Sequence, residues 1–112
     1  MTNDDIEELF ARVGSVTVKR MFGGKGVYHH DRMVAAEVGG VMRLKADAIT
    51  APMFEAAGAA QWVYQRPGGK PTAMPYWTIP DTALDDPDEM AIWAKRAWEA
   101  ALRAPEKVRK RR

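Results

Sequence analysis

Residues 16–45 read VTVKRMFGGKGVYHHDRMVAAEVGGVMRLK, and this stretch decides the fold. Val16, Val18 and Arg20 alternate with Thr17, Lys19 and Met21, the two-residue period of a strand. Gly23-Gly24 supplies residues that accept positive φ, and residues 25–30 read as the returning strand. His30-Asp31-Arg32 forms a second turn, residues 33–38 a third strand, Gly39-Gly40 a third turn and residues 41–45 a fourth strand. Connections this tight allow only antiparallel pairing, because a parallel pair needs a long crossover.

Helical patterns flank the meander. Upstream, Asp4 and Glu7 have the spacing of a capping box, and Ile6, Leu9, Phe10 and Val13 repeat at helical intervals. With Gly14 as the stop, a first helix is expected over residues 4–13. Downstream, a second helix is expected over 48–57. Asp47 or Thr50 starts it, and Pro52 favours Thr50 because proline belongs in a first turn. Residues 61–66 read as a strand with Trp62 and Tyr64 on one face and Val63 on the other. Residues 67–71 form a turn and 73–79 a last strand, whose Pro75 calls for an edge or a bulge. Asp86-Pro87-Asp88-Glu89 then sets a cap, a first-turn proline and a box glutamate in register. Met90, Trp93, Ala94, Ala97, Trp98 and Ala101 draw one apolar stripe before Pro105 ends the helix.

The 112 residues suit one α+β domain, assigned to 1–104, with a basic tail over 105–112. Hydrophobic residues make up 46% and charged residues 29%, a globular composition rather than a disordered one. The net charge of +2 hides an asymmetry. Lys107, Arg109, Lys110, Arg111 and Arg112 are five of the 17 basic residues, leaving 12 against 15 acidic ones in the rest of the chain. A mildly acidic body argues against a nucleic-acid surface over the whole domain. The absence of cysteine excludes disulfides, thiolate metal sites and cysteine nucleophiles, and fits a reducing compartment. The opening MTNDDIEELF is acidic where a secretory signal is basic and then apolar, so the expectation is a cytoplasmic protein with no membrane segment.

No catalytic constellation emerges. His29 and His30 alternate across a strand and read as a polar hairpin end rather than a joint metal site. Gly23-Gly24-Lys25-Gly26 lacks the spacing and the following helix of a phosphate loop, and Arg66-Pro67-Gly68-Gly69-Lys70 is a similar turn flanked by cations. Together the two turns offer backbone N–H groups and positive charge to an anion. Asp81, Asp85, Asp86, Asp88 and Glu89 lack calcium-loop spacing and read as helix caps. Ser15, the sole serine, has no nucleophile pattern around it. Tyr76 and Trp77 are neighbours in a strand, so one faces out and becomes a candidate partner contact.

Several stretches resemble the N-terminal domain of the TfoX/Sxy family. They are Arg20-Met21-Phe22-Gly23-Gly24-Lys25-Gly26-Val27-Tyr28, Arg43-Leu44-Lys45-Ala46-Asp47, Phe54-Glu55-Ala56-Ala57-Gly58 and Met74-Pro75-Tyr76-Trp77-Thr78-Ile79-Pro80, followed by the helix around Trp93-Ala94. The resemblance runs over about residues 3–103. It implies an antiparallel sheet with packed helices in the order α-β-β-β-α-β-β-α, similar to secretion-chaperone folds, with two of the four early strands merged. It also implies a non-enzymatic role in natural competence, in which family members promote transcription of DNA-uptake genes together with the cyclic-AMP receptor protein. The better-known regulators add a C-terminal helical domain that this sequence does not include, and Asp31-Arg32 stands where the family pattern prefers Asp-Gly.

The expectation is therefore a regulatory or interaction domain with no catalytic, cofactor or metal residues and a protein partner from the transcription machinery. The alternative is direct, weakly specific DNA binding. Contacts for either partner are assigned to Lys25, Arg66, Lys70, Tyr76, Trp77, Lys107, Arg109, Lys110, Arg111 and Arg112. A homodimer is compatible with an exposed edge strand or aromatic patch.

Overall fold

A computed structural model describes residues 2–21 and 23–105. The basic tail from Lys107 to Arg112 lies outside the described residues, as does Phe22. The chain runs α1 (Asn3–Leu9), β1 (Thr17–Met21), β2 (Gly24–His29), β3 (Arg32–Val38), β4 (Val41–Lys45), α2 (Ala51–Ala56), β5 (Gln61–Gln65), β6 (Pro71–Thr78), α3 (Asp81–Leu84) and α4 (Pro87–Arg103). The expected α+β class with an antiparallel sheet is what forms. The strand order is β1-β2-β3-β4-β6-β5, antiparallel throughout. The element order implied by the resemblance needs correction, because the four early strands stay separate and a short helix, α3, precedes α4.

Three tight turns keep the strands apart. His29 pairs with Arg32 and Val38 with Val41, so each connection has two residues. All four of those residues, His30, Asp31, Gly39 and Gly40, take positive φ, as a turn matched to strand twist requires. His30 and Asp31 do this without glycine. At the turn from β1 to β2, Gly24 packs directly on the β3 backbone. A Cβ built there would stand 2.1 Å from the Glu37 carbonyl oxygen.

The helix ends differ from expectation in their partners. Thr2, not Asp4, caps α1: its hydroxyl accepts from Asp5 N–H, and Asp5 Oδ2 accepts from Thr2 N–H. The helix proper stops at Leu9, and residues 10–13 turn. At α2, Thr50 holds the cap position, but Asp47 supplies the bonds. Asp47 Oδ1 accepts from Ile49 N–H, Thr50 N–H and the Thr50 hydroxyl, which in turn accepts from Asp47 N–H. At α4, Asp86 caps as expected, while Glu89 accepts from the Thr82 hydroxyl and Trp93 Nε1.

One row of the sheet is the floor of the core. Registers align Val18, Val27, Ala35, Leu44 and Trp77 across five strands. Ile6 and Phe10 of α1, Phe54 of α2 and Met90, Trp93, Ala94, Ala97 and Ala101 of α4 pack on that side. Phe54 sits between Trp93 and Trp77, with ring centroids 4.7 and 6.2 Å away. Pro75 lies in a bulge, as required of a proline in an interior strand. Three β6 residues oppose Trp62 alone between the pairs Gln61–Trp77 and Val63–Ala73. The freed backbone finds partners: Gln61 Nε2 donates to Met74 O, and Ala46 N–H donates to Pro75 O.

The far end of α4 is tied to the start of α2. Arg103 Nε donates to Asp47 Oδ2 at 2.6 Å and Nη2 to Oδ1 at 3.2 Å. The bond from Arg103, with the N–H groups of the turn, holds the Asp47 carboxyl down at about 2.

Two outcomes are expected. Gly24→Ala is destabilising by about 1–3 kcal/mol in urea unfolding, since the new methyl must displace backbone rather than a side chain. Asp47→Ala costs about 1 kcal/mol at neutral pH through its capping bonds. Because the folded carboxyl titrates below its ordinary value, its contribution is complete above pH 3.8 and lost as pH falls toward 2. Melting temperatures across that window fall more steeply for the parent chain than for the variant.

Candidate interaction surface

The alternate row of side chains points away from the helices. It includes Lys19, Tyr28, Met33, Ala36, Arg43, Lys45, Tyr76 and, on β5, Trp62. This row is organised as cation–aromatic pairs. Lys19 Nζ stands 4.9 Å from the Tyr28 ring centroid, Lys45 Nζ 5.3 Å from that of Tyr76, and the Arg43 guanidinium carbon 5.5 Å from that of Trp62. Trp62 also meets Tyr76 and Tyr64 edge to face, at 6.3 and 6.4 Å. Such pairs join the electrostatics of a cation on a π face with burial of the long aliphatic stem.

At one end this face opens into a groove of about 750 Å³ lined by Lys19, Tyr28, Arg32, Met33, Lys45 and Tyr76, with Ala101, Ala104 and Pro105 on its far wall. Arg32 fixes that wall. Its Nη1 donates to the Ala101 carbonyl at 3.1 Å and approaches that of Ala104 at 3.5 Å. Tyr76 is 7% exposed, and burial pushes its hydroxyl up to about 12.

The residues assigned from sequence do not all meet here. Tyr76 belongs to the groove. Trp77 faces the core against Phe54, so neither aromatic of the pair stands free toward solvent. Lys25 lies at the opposite end of the sheet, where its Nζ donates to Asn3 Oδ1. It lines a separate open cavity of about 530 Å³ with Arg20, Gly23, Gly24, Glu37, Gly39 and Gly40. Glu37 is its register partner, and a buried carboxylate there opposes an anion. Arg66 and Lys70 are exposed in the β5–β6 hairpin, which projects past Lys45 because β6 begins at Pro71 while Lys45 pairs with Tyr76. The two cationic glycine turns thus sit at opposite ends and form no common site. Sequence reading missed Lys19, Tyr28, Arg43, Lys45 and Trp62. The signal was present as alternation, but it needed the strand registers that bring these five together.

The two histidines also differ from their expected separation. His29 is buried, with Nδ1 2.7 Å from Ser15 O and its ring edge-on to Trp98 at 4.5 Å. The positive φ of His30 folds its ring back to 4.2 Å from His29, so the pair shares one side. Among the described residues no group of three His, Cys, Asp or Glu side chains is placed to hold a metal ion. No described helix is long and apolar enough to cross a membrane.

Residues 8–101 match the family profile of the TfoX N-terminal domain, from within α1 to near the end of α4. The chain belongs to that family. No curated protein matches it. The TfoX N-terminal domain is a non-enzymatic family. The resemblance noted from five ordered stretches and the match over 94 positions cover the same elements.

The buried hydroxyl of this TfoX-type domain gives a direct readout. In an alkaline titration followed by phenolate absorbance, the tyrosine step near pH 12 disappears in Tyr76→Phe. The raised value also means that stability contributed by the neutral ring is complete below pH 10 and lost as pH rises toward 12.

Proposed function

We propose that the chain is a non-catalytic regulatory module of the competence type that acts by binding an acidic surface on a protein partner in the transcription machinery. The observation that carries this reading is the row of three cation–aromatic pairs on the helix-free face of the sheet. Lys19, Arg43 and Lys45 supply positive potential on a body that is otherwise acidic, and Tyr28, Trp62 and Tyr76 supply rigid contact area of low entropy cost. Family membership supplies the regulatory context, and the cyclic-AMP receptor protein is the partner the family resemblance points to.

A second reading has its own support. Pro105 lines the groove, and five cations follow it in sequence within seven residues. Duplex DNA is the polyanion such a segment takes.

Fluorescence anisotropy separates the two. The expected result is saturable binding to the labelled receptor protein, weakened roughly tenfold or more by the double change Arg43→Glu and Lys45→Glu, with circular dichroism unchanged. Duplex binding with steep salt dependence, abolished in a chain ending at Ala104, transfers the function to DNA. Binding of neither probe at low salt overturns both readings.

A further inference from the structure

The outer edge of the sheet is β5, which reads Gln61-Trp62-Val63-Tyr64-Gln65. This segment is close to a palindrome. Turned about a two-fold axis at Val63, glutamine meets glutamine, an aromatic meets an aromatic, and valine meets itself. It carries no charge, and Val63 and Tyr64 are 52% and 47% exposed. The opposite edge, β1, carries Lys19 and Arg20, charges of the kind that discourage edge pairing.

Backbone geometry fits the same axis. Pro71 has no N–H to give, so its register partner Gln65 turns its own backbone groups away from β6. At the other end, Ala60 bonds inward: its carbonyl accepts from Thr78 N–H, and its N–H donates to Thr78 Oγ1. Counting by twos from either end, positions 62 and 64 bond inward and positions 61, 63 and 65 face out. The outward groups are therefore centred on Val63, where a symmetric antiparallel pair needs them.

We infer that β5 is a homodimer interface, pairing antiparallel with β5 of a second copy about Val63 to give one continuous twelve-stranded sheet. Gln61 pairs with the partner's Gln65. Trp62 lies across from the partner's Tyr64, so the aromatic row on the open face runs from Tyr76 of one copy into the other. The interface is isologous, so it closes at two copies, and the charged β1 edges at the ends do not extend it. This inference does not rest on the proposed function.

Light scattering after size exclusion, over a concentration series, tests it. A dimer is expected for the parent chain, and a monomer with an unchanged circular dichroism spectrum for Val63→Lys, which sets two like charges face to face. Val63→Cys tests the axis without relying on that variant. It introduces the only thiol, and Cα atoms of a hydrogen-bonded antiparallel pair lie about 5.5 Å apart, within disulfide reach. Mild oxidation is expected to link this variant into a covalent dimer much faster than Ile92→Cys, whose thiol sits on an exposed part of α4. A monomeric parent chain, a Val63→Lys dimer, or equal cross-linking rates for the two cysteine variants overturns the interface.

Discussion

Everything in this domain depends on how closely α4 lies on the sheet. Ala94, Ala97 and Ala101 are buried against a floor that includes Ala35 and Leu44, so small side chains meet across much of the contact. Close approach excludes water, and Trp93 and Phe54 fill the wider space beside the alanines. A larger residue at Ala97 would lift the helix and open the aromatic cluster. The same contact fixes which face of the sheet is covered, and so which face is left for other work.

The uncovered face is not apolar in the way a bare sheet would be. Its central alanine, Ala36, is fully buried although the helices lie on the other side. Lys19, Arg43 and Lys45 lie over the rings of Tyr28, Trp62 and Tyr76 on that face. The protein therefore places aromatic rings and positive charge together on that face. The groove beside α4 extends this surface to the carbonyl groups that Arg32 holds.

Most of the architecture was legible because it rests on local rules. The period-two pattern of residues 16–45 and the glycine turns predicted four separate strands, and residue-level reading there outperformed the family order. Pro75 predicted an edge or a bulge, of which the bulge forms, and the stripe from Met90 to Ala101 predicted the buried face of α4. What was not legible depended on long-range pairing. The four residues of α3 are too short for any period to show. Thr2 replaced Asp4 as a cap because the choice among neighbouring polar residues is settled by geometry, not spacing. The surface residues were missed for the same reason: Arg43 and Trp62 become neighbours only when β6 enters between β4 and β5. Conversely, Lys25 and Arg66 looked alike in sequence because each flanks a glycine turn, and the registers place them at opposite ends.

The strand order also shapes how the chain reaches its fold. From β1 to β4 each strand lies beside its neighbour in sequence, and loops of two residues close those pairs at small entropic cost. The β5–β6 hairpin is equally local. Among the strand pairs, only the junction of β4 with β6, where Leu44 meets Trp77, joins strands that are not neighbours in sequence. At this seam Ala46 N–H donates to Pro75 O, and the bulge around Pro75 leaves a one-residue slip no equivalent set of bonds. The sheet thus gathers its non-local strand pairing into one seam, and the proline that interrupts the ladder marks the alignment of that seam.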